Sequence, residues 1–289
     1  MDKEYDDTLF DWRYYLETYP DLIINGINTK LSAIRHWHEY GKKEKRIPYD
    51  INNKEDTKHI QDNVNNKIAV YTCNFGNYRE ELDIFISSDF DKNIDYYLFT
   101  DDIDIKLSVK KWKIIYTPLL SSDETMDKYR WTTKYIKFVL PDILKKYEYV
   151  LWIDSNMMNL SIKYDNILNL IEKYPLVDIF NNKHPQRNTA QEELEITIMS
   201  NVENTIPAQQ FLNYIKNFKS NFSLPATGIF LRNTKDKTNK AFELCYKFMK
   251  IFKLKRDQNI YNFALSRTHI VPLVLPKLNE VLSTFTLKN

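Results

Sequence analysis

The chain has 289 residues, and 41 Lys or Arg against 39 Asp or Glu give a formal net charge of +2 at pH 7. This balance excludes a protein dominated by contacts to nucleic-acid phosphates, so we expect no nucleic-acid partner and only local anion sites. With two cysteines and four glycines, the composition also excludes a disulfide scaffold, a cysteine-rich zinc module and a glycine-rich nucleotide loop.

The N-terminal segment is predicted to contain short helices. Trp12, Leu16 and Tyr19 recur at spacings of four and three, which is the helical period. We therefore predict a small helical module at 1–48, followed by a polar linker at 49–66. The acidic start lacks the basic, apolar segment of a secretory signal, and no apolar run approaches the ~20 residues that span a bilayer. We expect a cytoplasmic protein.

Residues 67–289 alternate strands and helices. Apolar runs predict strands, which are 67–73, 96–100, 112–116, 149–153, 226–232 and 270–275. Apolar periodicity predicts helices, which are 127–146, 164–173, 239–253 and 258–265. Pro141 is expected to kink or divide the first of these helices. The alternation indicates an α/β fold, a mixed sheet with helices on both faces, whose ligands bind beyond the carboxyl ends of the strands.

Candidate metal ligands follow the strand at 149–153. Asp154 stands at the tip of this strand, and Asn156 follows two residues later, so both side chains can face the same way in an extended turn. Oxygen ligands suit Mn²⁺ or Mg²⁺, which could neutralise the leaving charge of a nucleoside diphosphate. The alternative is an Asp-Ser-Asn turn that caps the next element.

The loops after the first two strands offer groups that suit a nucleoside. Thr72 and Asn74 supply uncharged hydrogen-bonding groups, Gly76 permits close backbone approach, and Tyr78 supplies a ring for stacking. Asp101 follows the second strand and could hold a base or a ribose. The alternatives are an ordinary strand-to-helix loop and a solvated turn.

The helix predicted at 127–146 carries a basic stripe. Arg130, Lys134 and Lys137 lie four and three residues apart and share one helical face. Such a stripe could cradle a diphosphate, and the alternative is a solvated basic face.

Polar residues of the C-terminal half are candidates for binding a sugar or an acceptor. These residues are His184, Arg187, Glu192, Glu193, Thr227 and Gly228. For the first four, a surface ion-pair network is the alternative. Asp257 opens a predicted helix, where it could deprotonate an acceptor hydroxyl or serve as an N-cap.

In their order along the chain, these motifs resemble a nucleotide-sugar glycosyltransferase of the GT-A type. The motifs are the 72–78 loop, Phe-Thr-Asp-Asp at 99–102, the basic stripe, Trp-Ile-Asp-Ser-Asn at 152–156, His-Pro-Gln-Arg at 184–187, Glu-Glu at 192–193, Thr-Gly at 227–228 and Arg-Asp-Gln at 256–258. More narrowly, residues 67–275 resemble the glycosyltransferase-like family named after plant turgor-regulation and mucilage proteins. That family also occurs in bacteria and large DNA viruses, so the expected compartment becomes the host cytoplasm if the chain is viral.

The resemblance implies transfer of a sugar from a UDP-sugar, or a similar nucleotide sugar, to an acceptor hydroxyl of a glycan or glycoprotein. It also implies a divalent cation, Mn²⁺ or Mg²⁺, at Asp154 and Asn156. Asn156 is neutral, which departs from the acidic pattern of the metal motif. A dispensable metal, or a catalytically inactive nucleotide-sugar or carbohydrate-binding module, is therefore an alternative. Residues 8–46 resemble a small helical module found beside bacterial and viral glycosyltransferases.

Overall fold

The computed structural model describes part of the chain. The described residues are 10–48, 67–76, 78, 90–102, 105, 111–122, 126–155 and 160–283. The chain divides into two compact units, one of Met1–Asn65 with Ile115–Pro118 and one of Asn66–Ile114 with Leu119–Asn289. The predicted linker at 49–66 lies outside the described residues, so the predicted domain boundaries stay a prediction.

The first unit contains the predicted short helices. They are α1 (Trp12–Thr18), α2 (Pro20–Ile24) and α3 (Lys30–His36), which continues as a π-helical turn (Trp37–Gly41). Pro20 begins α2, where its missing N–H and preset φ suit the first helical position. Thr29 and Ser32 form a reciprocal capping box at the start of α3. The buried core of this unit consists of Tyr15, Leu16, Leu22, Ala33 and Trp37.

The described strands of the second unit form a seven-stranded mixed sheet. They are β1 (Ile68–Asn74), β2 (Asp95–Thr100), β3 (Trp112–Tyr116), β4 (Tyr149–Ile153), β5 (Ile179–Lys183), β6 (Pro225–Asn233) and β7 (Leu273–Leu275). Their order is β3-β2-β1-β4-β6-β5-β7. Strand β1 is parallel to β2 and β4, and β5 is parallel to β7, whereas β6 runs antiparallel to β4 and β5. The predicted α/β fold class, a mixed sheet flanked by helices, is confirmed.

Helices cover both faces of this sheet. They are α4 (Lys128–Phe138), α5 (Tyr164–Lys173), α6 (Ala190–Met199), α7 (Thr205–Tyr214), α8 (Asp236–Ile251), α9 (Gln258–Arg267) and α10 (Leu278–Ser283). On one face, Ile167 of α5 and Leu278 of α10 belong to the same buried cluster as Leu151 of β4. On the other face, Phe242 of α8 contacts Phe230 of β6 at 5.0 Å between ring centroids. Alternate residues along the central strands therefore pack into two separate hydrophobic cores, one on each face of the sheet.

Helix α4 is shorter than the predicted helix at 127–146. It ends at Phe138, Val139 is extended (φ −88°, ψ 109°), and a 3₁₀ turn follows at Asp142–Leu144. Pro141 disfavours helical geometry at Leu140 and cannot donate an N–H to a continuing helix, so the predicted helix is divided and not kinked. The predicted strand at 270–275 is likewise shorter, since only Leu273–Leu275 pairs in the sheet.

Strand β5 was not predicted from the sequence. Its second half contains Asn181, Asn182 and Lys183, which interrupt the apolar run that marks a buried strand. Helices α6, α7 and α10 also went unpredicted. Among the described residues, no helix combines the length and apolar character needed to cross a membrane.

Candidate functional site

The strand ends that carry the candidate residues meet at one edge of the sheet. The parallel strands β1, β2 and β4 end there, β5 ends beside them, and the antiparallel β6 begins there. Strand β1 lies between β2 and β4, so the strand order reverses at this point, which is where open α/β sheets form a ligand crevice. The backbone N–H of Asp154 donates to the carbonyl of Gly228 at 2.8 Å and joins β4 to β6 at this edge.

A cluster of two carboxylates and two ammonium groups lies at the end of β4. Asp154 Oδ1 accepts a hydrogen bond from Trp152 Nε1 at 2.6 Å and another from Lys137 Nζ at 3.1 Å. Lys137 Nζ also lies 2.6 Å from Asp257 Oδ2, and Lys134 Nζ lies 2.9 Å from Asp257 Oδ1. We call these four charged residues, Lys134, Lys137, Asp154 and Asp257, the charge cluster.

Burial differs sharply within the charge cluster. The side chain of Lys137 is 1% exposed and that of Asp257 is 8% exposed, whereas those of Lys134 and Asp154 are 18% and 36% exposed. Lys137 therefore lies at the bottom of the cluster, between the two carboxylates. Lys134 and Asp154 form its open side.

The two buried members of the cluster stay charged. Burial on its own would raise the pKa of Asp257, but the Lys134 and Lys137 ammonium groups outweigh it and hold that pKa well below its usual range. Burial would likewise lower the pKa of Lys137, whereas the carboxylates of Asp154 and Asp257 raise it. A carboxylate with so low a pKa accepts a proton poorly. The contacts favour a role for Asp257 in holding both lysines, and its predicted role as the base stays a prediction.

Glu203 fixes the backbone that carries Asp257. This buried side chain accepts hydrogen bonds from the backbone N–H groups of Lys255 and Arg256, both at 2.7 Å, and from Asn259 Nδ2 at 2.8 Å. These donors lie on both sides of Asp257, so one carboxylate sets the path of the chain into α9. Glu203 was not predicted from the sequence, because no local motif links it to the residues about 50 positions later that it contacts.

Gln258 joins the start of α9 to the start of β6. Its Oε1 accepts from both the backbone N–H and the hydroxyl of Thr227, each at 3.1 Å, and its Nε2 donates to the carbonyl of Pro225. Thr227 and Gly228 were predicted as sugar or acceptor residues. They lie at the same sheet edge as Asp154, with the Thr227 hydroxyl already engaged by Gln258.

A second cluster surrounds the buried carboxylate of Glu193. Arg187 Nε lies 3.2 Å from Glu193 Oε2, and Arg256 Nη2 lies 3.6 Å from Oε1. His184 Nε2 lies 3.6 Å from Oε2, while its Nδ1 accepts the backbone N–H of Arg187 at 2.9 Å. Burial lowers the pKa of His184 and favours a neutral ring whose Nε2–H faces Glu193. The structure thus brings together three residues of the predicted sugar or acceptor set, His184, Arg187 and Glu193. Arg256, which precedes Asp257 in the chain, contacts the same carboxylate.

Glu192 serves the start of α6. Its Oε2 accepts the backbone N–H of Asn188 at 2.9 Å, and its own N–H donates to Thr189 Oγ1 at 3.2 Å. The Asn188 hydrogen bond lowers the pKa of Glu192, which is exposed. Thr189 therefore caps α6, and the Glu192 carboxylate ties the residue before this cap to the first turn of the helix.

The loop after β1 approaches helix α4 closely at Gly76. Its φ is +64°, and a Cβ atom there would lie 2.8 Å from ring atoms of Tyr129. Both features favour glycine. The Gly76 N–H donates to Asp101 Oδ1 at 2.9 Å, which ties this loop to the end of β2. Tyr78 is 72% exposed, so its ring is open to solvent.

Three predicted donor residues lie apart from the charge cluster. Thr72 and Asn74 are buried within β1. Arg130 is exposed, with its Nε 3.5 Å from Asp127 at the start of α4. The predicted basic stripe therefore divides in two. Lys134 and Lys137 contact Asp257 in the charge cluster, whereas Arg130 lies beside Asp127.

Among the described contacts, those of Asp154 Oδ1 disfavour a divalent cation at this one oxygen. Its Oδ1 already receives the Trp152 N–H and the Lys137 ammonium, and the charge cluster sums to zero. Among the described residues, no group of three or more His, Cys, Asp or Glu side chains could hold a metal ion. Asn156 lies outside the described residues. The predicted metal requirement stays a prediction.

Comparison with known proteins yields a structural likeness. No protein-family model matches this chain, and no curated protein matches it. Matching solved structures include mouse xyloside xylosyltransferase 1 in its apo form, at 10% sequence identity and a TM-score of 0.38, over 72% of this chain and 84% of that chain. The fold class therefore rests on strand order and direction, and the functional proposal rests on the site.

Proposed function

We propose that this protein is a glycosyltransferase that moves a sugar from a nucleoside diphosphate sugar, with UDP as the first candidate nucleotide, to an acceptor hydroxyl. The observation that carries the proposal is the position of the charge cluster. Asp154 follows β4 at the reversal of strand order, partly open, and Lys137 connects it to Asp257 at the start of α9. Crevices at such reversals are the usual ligand sites of open α/β sheets.

In this proposal, each group of residues at this edge of the sheet has a role in binding. The leaving diphosphate meets the open side of the charge cluster at Lys134, because a developing negative charge is stabilised by cations that are already in place. The nucleoside lies along Asp101 and the loop of Gly76 and Tyr78, where the exposed ring of Tyr78 stacks on the base. The sugar and the acceptor lie toward Thr227, Gly228 and the Glu193 cluster.

The second candidate is a catalytically inactive module that binds nucleotide sugars. The low pKa of Asp257 supports it, because a carboxylate held between two ammonium groups is a weak base. In that case donor binding persists without turnover. The two candidates share the diphosphate site and differ only in the chemical step.

The test is a thermal-shift screen of nucleoside diphosphates and nucleotide sugars, repeated with and without Mn²⁺. A ligand that binds the native state raises the unfolding temperature, so we expect a saturable shift with at least one nucleotide. A release assay for free nucleotide, run with a panel of glycan acceptors, then separates the two candidates. If no nucleotide or nucleotide sugar raises the unfolding temperature, with or without Mn²⁺, both candidate functions are contradicted.

A further inference from the structure

Lys137 and Trp152 both contact the same oxygen of Asp154, the residue that the sequence predicts as a metal ligand. Asp154 Oδ1 accepts hydrogen bonds from Lys137 Nζ at 3.1 Å and from Trp152 Nε1 at 2.6 Å. A metal ion bound to that oxygen would sit about 2 Å from it, within a few ångströms of a fixed ammonium group. Two cations that close repel one another, and the Trp152 N–H occupies a further part of the same oxygen.

The ammonium group of Lys137 is fixed in place. The side chain is 1% exposed, and its Nζ lies 2.6 Å from Asp257 Oδ2 and 3.1 Å from Asp154 Oδ1. A buried, paired charge cannot swing into solvent without leaving carboxylates unpaired, which is costly. The positive charge beside Asp154 is therefore a permanent part of the fold.

Lys134 supplies the accessible charge. It shares Asp257 with Lys137, through Oδ1 at 2.9 Å, and is 18% exposed. Asp257 thus carries two ammonium partners for one negative charge. Lys134 is the more exposed of these two ammonium groups and lies on the open side of the charge cluster, where an anion can reach it.

We propose that this site binds the diphosphate of a nucleoside diphosphate without a divalent cation. Lys134 contacts the phosphate oxygens, and Lys137 neutralises Asp154 so that this carboxylate does not repel them. The inference rests on the proposed function, since it specifies how the proposed donor is held. It differs from the metal-assisted site that the sequence motif at Asp154 predicts.

Isothermal titration calorimetry tests the inference with the full chain. UDP and GDP are titrated into protein in excess EDTA, and the better ligand is titrated again in millimolar MnCl₂. We expect the two dissociation constants to differ by less than about threefold, because the protein supplies the cation. We also expect MnCl₂ alone to give no saturable heat.

Substitution of single lysines tests which ammonium group binds the diphosphate. Lys134→Gln should weaken binding in EDTA by about tenfold or more, since it removes the accessible ammonium. Lys240→Gln, an exposed lysine on α8, is the matched control and should bind like the wild type. Lys134→Gln leaves Lys137 to pair with Asp257, and an unchanged urea midpoint would show that the fold is intact.

The outcomes separate the inference from the proposed function. Binding that appears only with MnCl₂ would overturn the metal-free site while retaining the glycosyltransferase proposal. Binding in EDTA that Lys134→Gln and Lys240→Gln leave equally strong would also overturn it. No binding of UDP or GDP in either condition, together with an empty thermal-shift screen, would overturn the proposed function and the inference with it.

Discussion

Lys137 is the residue whose environment matters most in the site. It is buried, its Nζ contacts carboxylates from β4 and from the start of α9, and these carboxylates raise its pKa despite burial. Removing one partner of a buried ion pair leaves an uncompensated charge, whereas removing both costs less. Burial therefore couples Lys137 and Asp257 energetically.

A double-mutant cycle measures this coupling. Lys137→Met should reduce the free energy of unfolding by about 3–5 kcal/mol, because Asp154 loses its cation and Asp257 keeps only Lys134. The double variant Lys137→Met/Asp257→Asn should lose less than the sum of the single variants, by about 1–3 kcal/mol. Urea unfolding followed by circular dichroism gives the four values. Additive losses would show that the two side chains do not act as a pair.

The residue types at the site were predictable, but their pairing was not. Asp154, Lys134 and Asp257 were candidates from their positions after a strand, on a helix face and at a helix start. The split of the basic stripe, with Arg130 exposed and Lys137 buried, depends on how α4 rotates against the sheet. Helical spacing places residues on one face but does not state which of them reaches a partner.

At the scale of elements, the start of α9 determines where Asp257 points. Asp257 occupies the N-cap position but makes no side-chain cap hydrogen bond, so the predicted N-cap alternative is not observed. Glu203 performs the ordering instead, by accepting two backbone N–H groups just before Asp257. A carboxylate from a distant loop therefore replaces a local cap.

Glu203→Ala tests this arrangement. It leaves two partly buried backbone N–H groups without their acceptor and should cost about 1–3 kcal/mol of unfolding free energy. UDP binding should weaken as well, because Asp257 and its lysines lose their fixed position. Glu203→Gln retains an acceptor oxygen and should restore part of both losses. The control Glu195→Ala changes an exposed residue of α6 and should stay within about 0.5 kcal/mol of wild type.

Calorimetry and urea unfolding of these three variants decide the matter. If Glu203→Ala and Glu195→Ala behave alike in both measurements, Glu203 does not position the start of α9. If Glu203→Ala lowers stability but leaves UDP binding unchanged, its role is structural only and Asp257 does not depend on it.

At the scale of the whole molecule, the net charge is close to zero, so we expect the pH dependence of stability to reflect individual buried charges such as Asp257. The pKa of Asp257 is lower in the folded chain than its unfolded value of about 3.9, so the unfolded state takes up this proton first as the pH falls. The stability that Asp257 contributes is thus complete above about pH 5 and is lost progressively as the pH falls toward the folded pKa.

The pH dependence of unfolding should therefore differ between wild type and Asp257→Asn. Wild type loses unfolding free energy below about pH 5, and the variant, which lacks the titrating group, should lose less over the same range. His184 and Glu203 titrate in both proteins and cancel in the difference. Urea unfolding at closely spaced pH values gives the two curves. Parallel curves between about pH 5 and pH 3 would contradict an ionised, paired Asp257.

The amino-acid sequence alone determined the class of the fold and the places where polar groups would collect. Apolar runs placed β1, β2, β3 and β4 to within about a residue at most ends, and Asp154 followed from the end of β4, because a buried strand is a local pattern. The predicted helix at 127–146 continued beyond Phe138, where α4 ends. Strand β5 was not predicted, because its asparagines interrupt the apolar pattern.

Only the tertiary structure decided which charges meet. Lys137, Asp154 and Asp257 come from a helix, a strand end and a second helix that are far apart in the chain, and they pair because α4 and α9 bring them to one edge of the sheet. Glu203 likewise contacts the backbone of Lys255 and Arg256, which lie about 50 residues later in the chain. The energies of burial and of ion pairing arise from packing between elements, and the spacing of residues within one element does not predict them.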